Sequence, residues 1–292
     1  MTSIKPGHAC HYCGGRLDTT GDVCNDHPDI PVAVCRDCGT RQLSNFDHIR
    51  RELYADDGYF PADVAPVLER EAEWNRNRVR RLRDLLPNAA RRIALDYGCG
   101  PGGFLRVEGG LFARCVGFDL SPRMAALNRA DGLDCHSRPE ELPADTDTLL
   151  LFHVLEHVPD PKALLSELLQ RFPRIDRVVV EVPNTQEALV GLFDNAAYRA
   201  NHFSAEHLWY FTNRTLRLQL EAAGLEVIVD SQLQRYTLGN TFGWLGRNAG
   251  GGQHRWPFFN DPALNAQYER VLTEAGAADS VFMVARPASC PR

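Results

Sequence analysis

The chain has 292 residues, 44% of them hydrophobic, and a formal charge of −6. This balance supports one large domain or two modest ones with a sizeable core. It disfavours long-range attraction to nucleic acid or to an anionic membrane. The leading residues lack the apolar core of a signal peptide, and no apolar run approaches the roughly 18 residues of a membrane-spanning helix. With nine cysteines, a reducing, cytoplasmic setting is expected, in which close cysteine pairs bind metal rather than form disulfides.

Two such pairs open the chain, Cys10-His11-Tyr12-Cys13-Gly14 and Cys35-Arg36-Asp37-Cys38-Gly39. Two residues between thiolates let both sulfurs reach one ion, and four thiolates make a closed, structural Zn²⁺ site. Cys10, Cys13, Cys35 and Cys38 are the expected ligands, with Cys24, His8, His11 and His27 as nearby substitutes. A zinc ribbon over residues 1–45 follows, too small to fold without its metal.

Residues 46–90 read as a helical linker. A turn is expected at Asp56-Asp57-Gly58, and a helix over 64–86 from the spacing of Val64, Val67, Leu68, Ala72, Val79, Leu82 and Leu86. Its other face carries Arg70, Arg76, Arg78, Arg80, Arg81 and Arg83 among acidic residues, which reads as a solvated face laced with ion pairs. From residue 91 to 292 short apolar runs alternate with helical segments. Strands are expected at 92–97, 114–119, 133–136, 147–153, 177–182, 225–230 and 280–285. Helices begin at Ser121-Pro122, Asp160-Pro161 and Thr212-Asn213. Fully apolar strands in this rhythm imply an α/β fold, a doubly wound and mostly parallel sheet of seven strands. Insertions at 184–212 and 235–279 interrupt it. The glycine run 250–252 reads as a loose loop.

The functional argument centres on Asp96-Tyr97-Gly98-Cys99-Gly100-Pro101-Gly102. An apolar strand runs into an acidic residue, then into alternating glycines that let a ligand approach the backbone. An acid inside the turn opposes a pyrophosphate, and the glycine spacing is not G-x-G-x-x-G. Asp119 ends the next strand, where a carboxylate takes both hydroxyls of a ribose. The ligand implied has a ribose and an amino-acid-like end.

These residues, with Gly117-Phe118-Asp119 and Phe152-His153-Val154-Leu155-Glu156-His157-Val158, resemble the class I S-adenosylmethionine-dependent methyltransferases over roughly residues 90–232. The resemblance implies a Rossmann-like sheet whose last strand is antiparallel. It also implies a cofactor held by Asp96, Gly98, Cys99, Gly100, Gly102, Asp119, Leu120, His136, Phe152 and His153.

The acceptor should lie beyond the carboxyl ends of the strands, near Asn184, His202, Trp209 and Tyr210. Ser204-Ala205-Glu206-His207-Leu208-Trp209-Tyr210-Phe211-Thr212 is similar to the Y-x-E-H-F-x-Y-F-S pattern of deoxysugar C-methyltransferases, which also begin with a cysteine-rich module. Here Ser204 replaces the pattern's first tyrosine, and the C-terminal domain of those enzymes has no counterpart. Methylation of a sugar, nucleotide-sugar or glycan end at oxygen therefore fits as well as methylation at carbon. His207 with Glu206 is the expected general base, with His153 or His157 as the second choice. No paired-acid cluster of the kind that holds Mg²⁺ against an acceptor is evident. Two other readings use the same features: an RNA methyltransferase gripping its substrate with the ribbon, and an inactive cofactor-binding module. The acidic ribbon and overall charge weigh against the first, and the intact cofactor motif weighs against the second.

Overall fold

The computed structural model describes residues 8–49 and 59–288. The turn expected at Asp56-Asp57-Gly58 lies outside the described residues. The strands β1 (Leu17–Val23), β2 (Pro31–Cys35) and β3 (Arg41–Leu43) precede the α/β part, which contributes β4 (Ile93–Tyr97), β5 (Arg114–Phe118), β6 (Cys135–His136), β7 (Thr148–Phe152) and β8 (Arg177–Pro183). Then follow β9 (Trp209–Tyr210), β10 (Leu225–Leu233) and β11 (Ser280–Pro287).

Seven strands form one mixed, mostly parallel sheet in the order β10-β11-β8-β7-β4-β5-β6. The parallel register Ile93↔Arg114 to Tyr97↔Phe118 sets Asp96 beside Gly117. Leu95, Val116, Leu149, Leu150, Val178, Val179 and Val180 are all buried. Such strands are apolar on both faces because helices cover both. The third expected strand shrinks to two residues, Cys135 and His136, and β10 runs three residues beyond its expected end. Among the described residues no helix is long and apolar enough to cross a membrane.

The helix Ala65–Leu85 carries proline in its first turn, where no amide is lost from the ladder. Asp63 accepts a hydrogen bond from the Ala65 amide at 3.0 Å. Arg76 and Arg80 pair with Glu73 on the outer face, as expected. Arg78 departs from the expectation. It is 7% exposed and shares the buried stripe of Asn75, Val79 and Leu82. The helical period puts positions 75, 78, 79 and 82 on one side, and burial follows geometry rather than charge.

The chain divides into two compact units. The first comprises Met1–Asp47, Leu155–Leu164 and Glu181–Met283; the second comprises His48–Val154, Leu165–Val180 and Val284–Arg292. In the first unit the ribbon is not a separate body. Its sheet has the order β1-β2-β3-β9, so its fourth strand comes from the 184–212 insertion. Arg41 lies opposite Tyr210, and Gln42 opposite Trp209. Arg199 grips Asp22 through both carboxylate oxygens at 2.7 and 2.8 Å, and the Ala205 amide donates to Asp26 at 2.8 Å. Rings of His11 and Phe46 stack at 3.9 Å, and Phe46 meets Trp209 edge-on at 5.3 Å. The 235–279 insertion folds as the helices Leu238–Arg247, Gly252–Arg255 and Pro262–Glu274. Gly250 and Gly251 are irregular, as expected of a loop, and Gly252 opens the helix Gly252–Arg255, where a Cβ would meet the backbone of Gly239.

Candidate functional site

In the second unit the turn after β4 is built by close approach. Gly98 has φ 79°, and a Cβ there would stand 2.7 Å from Val154 Cγ2. Gly100 has φ 52°, and a Cβ there would stand 2.7 Å from the ring of Phe60. Both positions demand glycine for conformation and for space. The Gly98 and Cys99 amides donate to the Phe118 carbonyl at 2.7 and 3.0 Å, which ties the turn to the end of β5.

Asp119 closes the turn. One carboxylate oxygen accepts from the Gly100 amide at 2.8 Å, the other from the Ser121 amide at 2.9 Å. Each oxygen keeps a further lone pair, since a carboxylate has about four acceptor positions. Burial raises the carboxyl's pKa, while the two amides pull it down. From behind, Asn128 donates to the Gly100 carbonyl at 2.9 Å. The thiol of Cys99 sits 3.5 Å from that of Cys135.

Asp96 is buried beneath the turn. Burial pushes its carboxyl up to about 7; the nearby Asp119 charge acts in the same direction, and the Arg78 guanidinium opposes it. Arg78 donates to Asn75 Oδ1 at 2.6 Å and lies 4.7 Å over the Phe152 ring. The Phe104 ring packs 5.1 Å from that of Phe152. Asn75 and Arg78 are neighbours of this turn that sequence reasoning missed, because charged and amide side chains on a polar helix read as solvent-facing. Their shared period with Val79 and Leu82 is the signal that marks them. His136 has carboxylates on both sides, Asp134 at 3.0 Å and Glu141 at 3.2 Å. His153 has φ 56°, a conformation that few non-glycine residues adopt.

The acceptor-side candidates lie in the first unit. Leu155–His157 forms a single 3₁₀ turn, closed by the Val158 amide donating to the Leu155 carbonyl at 3.3 Å. The 203–212 segment runs alongside it. The Leu208 amide donates to the Glu156 carbonyl at 2.8 Å, and the Trp209 indole donates to the Val158 carbonyl at 2.8 Å. These bonds bring Glu156, His157 and His207 together, with their ligand-type atoms all within 4.8 Å of one another. Glu156 is fully buried, both histidines are half-buried, and Glu206 is exposed. The carboxylate grouped with His207 is thus Glu156, from 51 positions upstream, whereas Glu206 contributes its backbone carbonyl to His157 Nδ1 at 2.9 Å.

The other acceptor-side expectations fall inside the packed structure. Asn184 is buried; its amide group donates to the Ala278 carbonyl at 2.8 Å and its oxygen accepts from the Gln186 amide at 3.0 Å. Trp209 and Tyr210 are each 2% exposed, and the Tyr210 hydroxyl donates to the Ser204 carbonyl at 2.8 Å. Their rings hold the segment in place. His202 is half-buried, within the fields of Arg41, Arg199, Arg235 and Asp22, and burial with the arginine charges lowers its pKa to about 4.

The four knuckle cysteines converge. Cys10 and Cys38 sulfurs lie 3.7 Å apart, Cys13 and Cys35 sulfurs 3.5 Å apart, and all four fall within 4.8 Å. Sulfurs around a tetrahedral ion at about 2.3 Å would be about 3.8 Å apart. The two knuckles repeat one pattern. In each, the first cysteine's amide donates to the carbonyl five residues on (Gly15, Thr40), and the following glycine's amide (Gly14, Gly39) donates back to the first cysteine. Cys24 is buried elsewhere, beside Tyr210.

A family model described as a methyltransferase domain matches residues 69–229. No curated protein matches the chain. Among solved structures, the complex of the Trm112 methyltransferase activator with a methyltransferase from Haloferax volcanii aligns at TM-score 0.51 and 15% identity, over 77% of this chain and 96% of that one. A SAM-dependent methyltransferase from Archaeoglobus fulgidus aligns at 0.45 and 20% identity, over 76% and 99%. Magnesium protoporphyrin IX methyltransferase from Synechocystis aligns at 0.46 and 13% identity, over 80% and 90%.

Proposed function

Because the chain belongs to the methyltransferase-domain family, we propose that it transfers the methyl group of S-adenosylmethionine to a small polar acceptor, a sugar, nucleotide-sugar or glycan end. The observation that carries the cofactor assignment is the Asp119 carboxylate, held by the Gly100 and Ser121 amides at the lip of the glycine turn. It has the remaining lone pairs to accept two ribose hydroxyls. The turn from Gly98 to Gly102 takes the methionine end, with Cys99, Leu120, His136, Phe152 and His153 around the nucleoside. The buried Asp96 and Arg78 brace the turn from below.

The reaction asks little covalent chemistry of the protein. The sulfonium supplies the reactive methyl, and the chain aligns a nucleophile in line with it. A hydroxyl or an α-carbon must also lose a proton. His207, Glu156 and His157 take charge of that proton on the acceptor side. The sugar assignment rests on the likeness of the 204–212 segment to deoxysugar enzymes. Zn²⁺ belongs to the four-cysteine site, whose closed set of thiolates gives it a structural role.

Calorimetry with S-adenosylhomocysteine tests the cofactor assignment, and transfer of label from S-adenosylmethionine to a panel of sugar nucleotides tests the acceptor. Failure of the wild-type chain to bind S-adenosylhomocysteine would refute the enzymatic reading. Transfer to RNA but to no sugar nucleotide would refute the acceptor class.

A further inference from the structure

Outside the four-cysteine site, one more cluster has the composition of a metal centre. We infer that Glu156, His157 and His207 bind a divalent first-row transition-metal ion that carries the acceptor oxygen. The inference rests on the methyltransferase reading for its role, and on the geometry alone for the site.

Four observations support it. The ligand-type atoms of all three side chains lie within 4.8 Å of one another, within reach of a single ion. His157 Nδ1 sits 2.9 Å from the Glu206 carbonyl, so Nδ1 carries a proton and donates it, and the ring is held by that edge. A backbone carbonyl holding the other ring nitrogen is the arrangement that fixes tautomer and orientation in metal-ligating histidines. The Leu208 amide bond to the Glu156 carbonyl clamps the two chain segments at the point where their ligands meet. The two imidazole centroids stand 4.9 Å apart at 68°, edge to face, so the rings meet where the two segments are joined. Burial completes the picture. Glu156 is 0% exposed. The half-buried histidines leave one side of the cluster reachable from solvent.

Two imidazoles and one carboxylate are a set of three protein ligands, which leaves positions open for water or substrate. This differs in kind from the four thiolates of the ribbon, which suit a soft, closed site. An acceptor hydroxyl on the open position would lose its proton near neutral pH, because the ion stabilises the alkoxide. That proton passes to solvent. The alkoxide oxygen then forms the new O–C bond as the methyl carbon leaves the sulfonium. Sulfur keeps the bonding pair and becomes a neutral thioether. His207 is, on this account, a ligand that acts on the proton through the ion.

The test uses the full chain with its ribbon zinc-loaded and Mn²⁺ alone as probe, since Mn²⁺ prefers nitrogen and oxygen ligands to thiolates. Electron paramagnetic resonance reads the free ion. About one Mn²⁺ per chain should bind, and affinity should fall at least about tenfold in His157→Gln and in His207→Gln. Both variants should melt like the wild type and bind S-adenosylhomocysteine normally. Asp119→Ala should keep the Mn²⁺ and lose S-adenosylhomocysteine. If the wild type leaves all Mn²⁺ free, or both histidine variants bind it as tightly as wild type, the site is overturned while the methyltransferase reading stands. Loss of S-adenosylhomocysteine binding in the wild type would instead remove the role and leave the ion.

Discussion

Gln42 sits directly opposite Trp209 in the antiparallel pair that joins β3 to β9. Through that pair, the cysteine-rich module and the segment carrying His207 belong to one sheet. The Leu43 amide donates to the Leu208 carbonyl at 3.0 Å, one residue from His207. Removing metal from the cysteines should therefore loosen the acceptor side. Chelation is expected to speed hydrogen exchange at the amides of Leu43 and Leu208 at least about tenfold, with the amides of β4 and β5 unaffected. Unchanged exchange at Leu208 in metal-free protein would show that the two regions are energetically separate.

Asp119 binds the turn and, on the proposed reading, the ribose. Asp119→Ala should abolish S-adenosylhomocysteine binding in calorimetry and lower stability by about 1–3 kcal/mol, because the buried Gly100 and Ser121 amides lose their acceptor. Retained binding with lowered stability would restrict the residue to bracing the turn.

Arg78 is the cation that opposes the burial of Asp96. Arg78→Met should destabilise the fold by about 3 kcal/mol or more in denaturant titration, since it strands a buried carboxylate. Adding Asp96→Asn should recover a large part of that loss. Strict additivity of the two substitutions would show that the charges do not act as a pair.

His207→Ala should leave S-adenosylhomocysteine affinity intact and lower turnover about a hundredfold or more. Wild-type turnover in this variant would move the handling of the acceptor's proton elsewhere.

His202 gives a pH signature. Its folded pKa, about 4, lies below the ordinary value of 6.5. Between those values the unfolded chain binds a proton that the folded chain excludes, so stability is lost as pH falls through that window, by about 3 kcal/mol in full. Asp96 and Glu187, which burial pushes up to about 7, tilt the curve the opposite way. The difference between wild type and His202→Phe isolates the histidine. The variant should be relatively more stable at pH 5 than at pH 7.5, and equal differences at both would refute the assignment.

The glycine turn after β4 is legible in the sequence because its signals are local. Strand, acid and glycines follow one another within ten residues, and each glycine meets a backbone demand. The grouping of Glu156 with His207 is not, because the two lie far apart in sequence. Glu206 and His207 are neighbours in a turn, closed by the His207 amide donating to the Ser204 carbonyl at 3.3 Å, and adjacent residues there need not turn their side chains the same way. Glu206 is exposed, while His207 turns toward Glu156. The two-residue strand β9 carries no periodic pattern at all, so its place in the ribbon's sheet had no local signature. Arg78 was misplaced because its charge outweighed its position on the helix. Asn184, Trp209 and Tyr210 follow the strand ends as expected, yet their polar atoms bond the protein itself.

The borrowed strand also fixes an order of assembly. All four knuckle cysteines leave the ribosome early, but the edge of β3 meets its partner only once Trp209 and Tyr210 have been made, more than half the chain later. Until then the β2–β3 hairpin has an open, pairing-competent edge. β3 is thus the edge on which Trp209 and Tyr210 are laid down, and the place of the 203–212 segment is decided by a strand made long before it.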